Sequence, residues 1–237
     1  ISFMNKSDGS GIKHRIKNKA SSINSESLAS SVYEELKRRL NAGMLKPGQF
    51  IDLTALGNEL GISRTPLRDA LIRLELEGFI VIYQRRGVMV KVLQLSDIRD
   101  IYQIIGALEA SAIEEISKRF RASDADKMDS LCVEMADALS ADDFDRYYRA
   151  NLEFHDIYLE LSENKKLIDN VHILKERLYD FPRRSSYIKE WELDSMAEHA
   201  EIVKQLRSAD FKGAASYVKD VHWSFEVQER YIRKYYV

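Results

Sequence analysis

The sequence predicts a mainly α-helical protein in two parts, a small three-helix unit followed by an antiparallel α-helical bundle. Apolar residues recur every three to four positions through most of the 237 residues, which is the period of an amphipathic helix. Strand-like residues are concentrated in one short run, residues 79–92. The chain has three prolines, so long helices can continue without interruption.

The composition is typical of a globular protein that works in the cytoplasm. Hydrophobic residues make up 45% of the chain and charged residues 31%. Cys132 is the single cysteine, so no internal disulfide forms, which suits a reducing compartment. No apolar run reaches about 18 residues, and the N-terminus lacks the apolar core of a signal peptide. We therefore predict neither a membrane span nor secretion.

The net charge of −2 conceals an uneven distribution. Residues 1–93 hold 15 Lys and Arg against 9 Asp and Glu, whereas residues 94–237 hold 21 against 29. A basic first part joined to an acidic second part predicts a polyanionic partner for the first part alone. Residues 1–25 carry much of the positive charge and lack an apolar period, so we predict a disordered basic arm there.

Residues 26–93 predict a winged helix-turn-helix, in which three helices precede a β-hairpin. The first helix shows one apolar face. The second ends at Gly61, because glycine accepts the left-handed conformation that closes a helix. The third helix starts at the N-cap Ser63 and closes at Gly78. Pro66 lies in its first turn, where a missing backbone N–H is tolerated. A β-rich run with a central turn then gives the hairpin.

The third helix of this unit is predicted to read DNA. Its first turns carry Arg64, Thr65 and Arg68 on the polar side, and the N-terminal residues of a recognition helix reach base edges. Arginine pairs with guanine through two hydrogen bonds, whereas hydroxyl groups and a helix N-terminus suit phosphate. At the hairpin tip, Arg85 and Arg86 are placed to enter a minor groove or to follow phosphates. The alternative is that these arginines only solvate a surface.

Residues 95–237 predict six helices without strand signals, which favours an antiparallel bundle. The helices are expected near residues 96–120, 124–139, 142–162, 165–180, 189–208 and 210–235. Ligand sites in helical bundles lie between facing helices. We therefore predict an effector-binding or metal-binding domain in this part of the chain.

Three of the five histidines face the predicted core, each from a different helix. These are His155, His199 and His222. A single such histidine is more often an ordinary core residue, but buried imidazoles need partners, and a divalent metal satisfies several at once. Asn151, one turn before His155, adds a fourth possible donor. On the residues alone, a metal site and three separate core histidines both remain open.

The run GISRTPLRDALIRLELEGFIVIYQRRGVMV closely resembles the DNA-binding domain of GntR-type bacterial transcription regulators. The resemblance covers about residues 27–93 and makes Gly87 the residue that shapes the wing. The DNA contacts that it implies are Ser63, Arg64, Thr65 and Arg68. The chain departs from the family in the second helix, where a glutamate is common and this chain has Leu53 and Thr54.

Three later stretches resemble the effector-binding FCD domain of the FadR-type GntR subfamily, in its six-helix, VanR-like form. They are NLEFHDIYLELSENKKL, EHAEIVKQLRSADFKGAASYVKDVH and ALEASAIEEI. Many members bind a metal through D-x-x-x-H, E-H and a late histidine, which implies a divalent transition metal, zinc or nickel. The ligands that the resemblance implies are Asn151, His155, His199 and His222. Two positions depart from the family: Asn151 replaces an aspartate, and Ile105 replaces an arginine that helps to hold an organic acid.

The two departures suggest one hypothesis. Asparagine is a neutral ligand, so three histidines and Asn151 leave the 2+ charge of the ion uncompensated, which favours an effector carboxylate. Tyr148, about one turn before Asn151, is expected to face the same cavity. The alternative is that Asn151 weakens metal binding and leaves the site without an ion.

These features predict a ligand-responsive transcriptional regulator that binds palindromic double-stranded operator DNA as a homodimer and senses a small organic acid at the metal. Whether it is a repressor or an activator stays open. A metal-sensing regulator is the main alternative. A metalloenzyme fused to a DNA-binding domain is less favoured, because Glu153, Asp156 and Glu198 are expected to point away from the ligand face. No other general base is recognisable, so we expect no enzymatic activity.

Overall fold

A computed structural model describes residues 28–179 and 188–236 of the chain. The predicted basic arm, residues 1–25, lies outside them. The described chain is mainly helical and carries one small antiparallel sheet, which confirms the predicted fold class. It divides into two compact units, one up to residue 92 and the other from residue 93 onward. In the described ranges, no helix combines the length and apolar character needed to cross a membrane.

Among residues 28–92, the first unit contains three helices and a three-stranded sheet. Helix α1 spans residues 28–41. The elements that follow are β1 (Phe50–Ile51), α2 (Leu53–Leu60), α3 (Arg64–Leu76), β2 (Ile80–Tyr83) and β3 (Gly87–Val90). Strand β3 lies between β1 and β2, and Val88 faces Ile51 on one side and Ile82 on the other. The sequence does not predict β1, because two residues carry no recognisable period.

Local chemistry sets the ends of these helices. Asp52 caps α2, since its carboxylate accepts hydrogen bonds from the backbone N–H groups of Thr54 and Ala55 at 3.0 and 2.9 Å. Gly61 ends α2 at φ +64°, in the left-handed conformation that the sequence predicts. Gly78 follows the end of α3 at φ +80°. The buried apolar side chains of the unit include Leu36, Leu40, Leu67, Leu71, Leu74 and Phe79.

Within its described residues, the second unit is helical throughout. Its α-helices are α4 (Leu95–Glu115), α5 (Ala122–Ser140), α6 (Phe144–Leu161), α7 (Lys165–Tyr179), α8 (Lys189–Arg207), α9 (Phe211–Tyr217) and α10 (Phe225–Tyr236). A 3₁₀ turn, Ile116–Lys118, follows α4. The first five helices lie within a few residues of the predicted ranges.

The prediction of one continuous helix over residues 210–235 is wrong. A five-residue π-helical turn, Val218–His222, follows α9, and α10 begins only at Phe225. The backbone N–H of Trp223 closes this π turn by donating to the carbonyl of Val218 at 2.8 Å. Apolar residues continue through the break at near-helical spacing, so the pattern does not reveal it. Single π turns within helices are common at functional sites, and this one ends on His222.

Gly106 in α4 lets the π turn approach closely. A Cβ atom added to Gly106 would lie 3.0 Å from Cβ of Trp223 and 3.4 Å from Cα of Lys219. Both contacts are with atoms on or next to the backbone, which cannot swing away as the end of a long side chain does. The small residue on α4 therefore sets the position of the segment that carries His222.

We expect Gly106→Ala to lower the free energy of unfolding by about 1–3 kcal/mol, because overpacking against Trp223 outweighs the better helix propensity of alanine. Urea unfolding measures the change. Gly57→Ala is the matched control, since Gly57 also lies inside a helix but an added Cβ would lie 3.6 Å from its nearest neighbour, the carbonyl oxygen of Ile62. That control should be neutral or stabilising by up to about 1 kcal/mol. Equal destabilisation by both substitutions would contradict this role of Gly106.

Candidate DNA-reading surface and metal centre

The N-terminal turn of α3 presents polar side chains to solvent. Ser63 is the N-cap residue, and its side chain makes no capping hydrogen bond, which leaves the hydroxyl for another partner. Arg64, Thr65 and Arg68 are exposed, whereas Leu67 is buried in the core. The helix N-terminus and two guanidinium groups together form a basic edge that is rich in hydrogen-bond donors.

The tip of the β2–β3 hairpin carries two further exposed arginines, Arg85 and Arg86. Arg85 adopts φ +63°, and Gly87 adopts φ +107°. Residues other than glycine rarely adopt a φ near +107°, so the shape of the hairpin tip depends on Gly87. The predicted wing therefore exists as a turn with both guanidinium groups facing solvent.

One groove joins α2, α3 and the sheet. Its lining includes Thr54 and Asn58 of α2, Arg64 and Arg68 of α3, and Ile82 of β2. The structure thus brings the start of α3 together with the exposed side of α2, while the hairpin-tip arginines lie beyond the residues that line the groove. Where the family often has a glutamate, α2 contributes the exposed and uncharged Thr54.

The three predicted histidines come together in the core of the second unit. His155 lies on α6, His199 on α8 and His222 at the end of the π turn, and all three are buried. One ring nitrogen from each lies within 4.8 Å of the others. The ring centroids of His155 and His222 are 5.1 Å apart, and those of His199 and His222 are 4.9 Å apart. This spacing lets three imidazoles share one ion.

A buried carboxylate orients His155. The Nδ1 atom of His155 lies 3.0 Å from Oε2 of Glu109, and Nε2 has no hydrogen-bond partner among the described residues. Burial lowers the pKa of His155 to about 4, so the imidazole is neutral near pH 7. With the proton on Nδ1, the lone pair of Nε2 points toward the other two histidines. A carboxylate behind a histidine ligand is a frequent feature of metal sites.

Glu109 is fully buried, and its charge is offset. Lys175 lies 2.7 Å from Oε1, while Oε2 also accepts hydrogen bonds from Tyr158 at 2.5 Å and from the indole of Trp223 at 2.8 Å. Burial alone raises the pKa of a carboxylate, but Lys175 and His155 hold the pKa of Glu109 well below its usual range. Glu109 and Lys175 therefore form a buried ion pair that is connected directly to His155.

A second carboxylate orients His222. The Nδ1 atom of His222 lies 2.7 Å from Oε2 of Glu198, and Oε1 of Glu198 accepts a hydrogen bond from Gln228 at 2.8 Å. The prediction that Glu198 points away from the ligand face is wrong. The π turn packs against α8 beside His199. Two consecutive residues of α8 therefore reach the histidine cluster, His199 with its imidazole ring and Glu198 with its carboxylate.

His199 has no hydrogen-bond partner on either ring nitrogen among the described residues. Burial lowers its pKa well below the usual range, so the ring is neutral. Unpaired buried nitrogens are costly unless something else satisfies them. A divalent ion held by His155, His199 and His222 would satisfy one nitrogen of each ring, and nitrogen donors of this kind suit zinc or nickel. The residues present therefore fit a metal.

Asn151 and Tyr148 of α6 line a cavity that adjoins this centre at His222. Asn151 is half-buried and Tyr148 is buried. The predicted fourth ligand therefore faces the same space as the predicted effector-contacting residue. The expectation that the ion's charge is uncompensated is wrong in one respect, because Glu198 places a negative charge directly behind His222.

The supporting roles of Glu109 and Lys175 are not predicted from the sequence. His172, one turn before Lys175, is exposed and pairs with Asp156 at 2.8 Å. Lys175 is instead buried. A signal was present for Glu109, because it follows Ile105 by one turn on the apolar face of α4, where an unpaired carboxylate is unfavourable.

Two protein-family models match the chain. Residues 28–90 match the family of bacterial regulatory proteins called gntR, and residues 100–221 match the FCD domain. YdhC of Bacillus subtilis (strain 168), an uncharacterized HTH-type transcriptional regulator, is 26% identical over 188 residues, 78% of this chain and 84% of that protein. The Nta operon transcriptional regulator of Aminobacter aminovorans is 30% identical over 135 residues, 56% of this chain and 63% of that protein.

The fold also resembles a solved regulator structure. McbR/YncC of E. coli superimposes with a TM-score of 0.59 at 19% identity, covering 87% of this chain and 96% of that one. The matched families and the relatives above are transcriptional regulators and not enzymes, which agrees with the expectation that this chain has no enzymatic activity.

We expect Glu109→Gln to lower the free energy of unfolding by about 3 kcal/mol, because Lys175 loses its buried counter-charge. The same change should weaken metal binding by about tenfold or more, since His155 loses the carboxylate behind it. Urea unfolding and calorimetric metal titration measure the two effects. Glu114→Gln, at an exposed position of the same helix, is the control and should change neither quantity. A Glu109→Gln protein with the metal affinity of the control would contradict this assignment.

Proposed function

This chain belongs to the FCD-containing gntR family of bacterial transcriptional regulators, and on that premise we propose that it represses transcription by binding palindromic operator DNA as a homodimer. A small organic acid, bound beside a metal in the second unit, is the proposed effector that changes operator affinity. The protein acts in the cytoplasm, where its DNA partner lies.

The exposed edge of α3 supports the DNA-binding role. Arg64 and Arg68 are free of ion pairs among the described residues and project from the first turns of the helix. This is where recognition helices contact base edges in a major groove. Ser63, Thr65 and the helix N-terminus suit phosphate, and a two-fold symmetric dimer matches a palindromic site.

The strongest support for the sensory role is the set of unpaired histidine nitrogens in the core of the second unit. His155, His199 and His222 would hold the ion, and Asn151 faces the adjoining cavity as the fourth donor. The ion, when bound, supplies positive charge that attracts a carboxylate. Glu109 and Glu198 keep the rings of His155 and His222 oriented, so the centre is held in place before an effector arrives.

The effector is proposed to enter the cavity that Tyr148, Asn151 and His222 line. Residues of α6, α8 and the π turn meet there, so a ligand in this space touches several elements of the bundle at once. An effector changes operator affinity only if it binds two states of the protein unequally. We propose that the packing of these elements around the cavity differs between the two states.

One observation favours metal sensing as a second candidate function. The cavity has a volume of about 50 Å³. Since a water molecule needs roughly 10–15 Å³ of such space, the cavity as it stands holds only a small group. In this second candidate the ion itself is the effector, and no organic acid is required.

Substitutions on α3 and in the wing should affect operator binding differently. We expect Arg68→Ala to weaken specific binding by about 1–3 kcal/mol, because a base contact is lost. Arg85→Ala should weaken binding to all sequences alike and lower the slope of log affinity against log salt by about 1. Fluorescence anisotropy on operator and unrelated duplexes, over a salt series, measures both. Arg119→Ala, in the second unit, is the control, and a loss of operator binding in that variant equal to Arg68→Ala would contradict the assignment.

The effector response should depend on the histidine cluster. We expect some small carboxylates to change operator affinity of the metal-loaded protein by about 5–150-fold, with no effect on chelator-treated protein. His199→Ala should abolish the response, because the ion is lost, whereas His172→Ala at an exposed position should retain it. Operator binding that follows the metal and ignores every carboxylate would favour the metal-sensing candidate instead.

A further inference from the structure

The cavity beside the metal centre has an unusual lining for a site that takes an acid. Its walls are aromatic and carry two carboxylates, Glu192 and Glu198, and no lysine or arginine of the described chain lines it. Glu198 is already engaged by His222 and Gln228. Glu192 is half-buried and has no ion-pair partner among the described residues. A purely anionic ligand would therefore bring its charge next to an uncompensated carboxylate.

The charges around the histidine cluster also disfavour a purely anionic ligand. Glu109 is neutralised by Lys175, so the negative charges that remain near the ion are those of Glu198 and Glu192. When both are ionised, their charges together offset that of a 2+ ion. A ligand with no net charge preserves this balance, whereas a simple carboxylate leaves an excess negative charge in a buried place. A zwitterion satisfies both the ion and Glu192.

The aromatic walls are suited to a positive group. Tyr179 lies edge-on to Tyr148 at a centroid distance of 5.5 Å, and Trp191 lies edge-on to Tyr235 at 6.0 Å. Faces of tyrosine and tryptophan attract ammonium groups, most strongly where water is excluded. The buried hydroxyl of Tyr147 also lines the cavity, where it interacts with the carboxylate of Glu192.

We propose that the effector is a small aminocarboxylate, with its carboxylate directed to the metal centre and its ammonium group held between Glu192 and the aromatic walls. This inference rests on the proposed function, because it needs the metal-held carboxylate site, and it adds the chemical class of the ligand. Burial raises the pKa of Glu192 to about 7, as expected for a carboxylate that lacks a counter-charge until a cation binds.

The test compares glycine with propionate, which differ by exchange of an ammonium for a methyl group. Calorimetric titration of the nickel-loaded full chain should show glycine binding about tenfold more tightly than propionate, the ratio that one desolvated ammonium contact gives. In Glu192→Gln this preference should disappear through weaker glycine binding. Glu190→Gln, an exposed neighbour on the same helix, is the control and should keep the preference.

Each outcome separates the two proposals. Removal of nickel from the protein by glycine would appear as metal in the filtrate and would be the same in both variants, so it is distinguishable from binding beside Glu192. Propionate binding as tightly as glycine, or a preference that survives Glu192→Gln, would overturn the aminocarboxylate inference and leave the proposed acid site standing. Metal-dependent binding of neither compound would overturn both.

Discussion

The second unit is organised around carboxylates that are buried behind imidazoles. An ionised carboxylate in a protein core is unfavourable unless its oxygens are paired. Here Glu109 is paired with Lys175 and His155, and Glu198 with His222 and Gln228. This pairing fixes the tautomer and orientation of two imidazoles. Their remaining nitrogens then meet His199 at one point, and this arrangement is the one on which the proposed metal centre rests.

The same interactions connect five elements of the second unit to the centre. The carboxylate of Glu109 comes from α4, Lys175 from α7 and His155 from α6, while α8 and the π turn supply the other two histidines. These elements are therefore held together at the centre by hydrogen bonds and an ion pair. Such a site suits a sensory role, since effector binding and bundle packing depend on the same contacts.

The sequence predicts the elements better than it predicts their breaks and supporting contacts. Regular apolar spacing reveals α4 to α8, and glycine and N-cap chemistry reveal the ends of α2 and α3. The break at Trp223 is not predicted, because it depends on the close approach that Gly106 allows. The three histidines could be grouped from their apolar faces and the family resemblance. The predicted orientation of Glu198, away from the ligand face of α8, is wrong. Helical spacing does not show which neighbouring element packs against each side of a helix.

The central claim is that His155, His199 and His222 hold one divalent ion through nitrogens that two carboxylates orient from behind. X-ray absorption spectroscopy of the zinc-loaded or nickel-loaded chain tests it most directly. We expect one ion per chain with three imidazole nitrogens at about 2.0–2.1 Å, and loss of the imidazole signal in His199→Ala. A chain that retains no stoichiometric metal, or an ion whose imidazole signal is unchanged in His199→Ala, would contradict it.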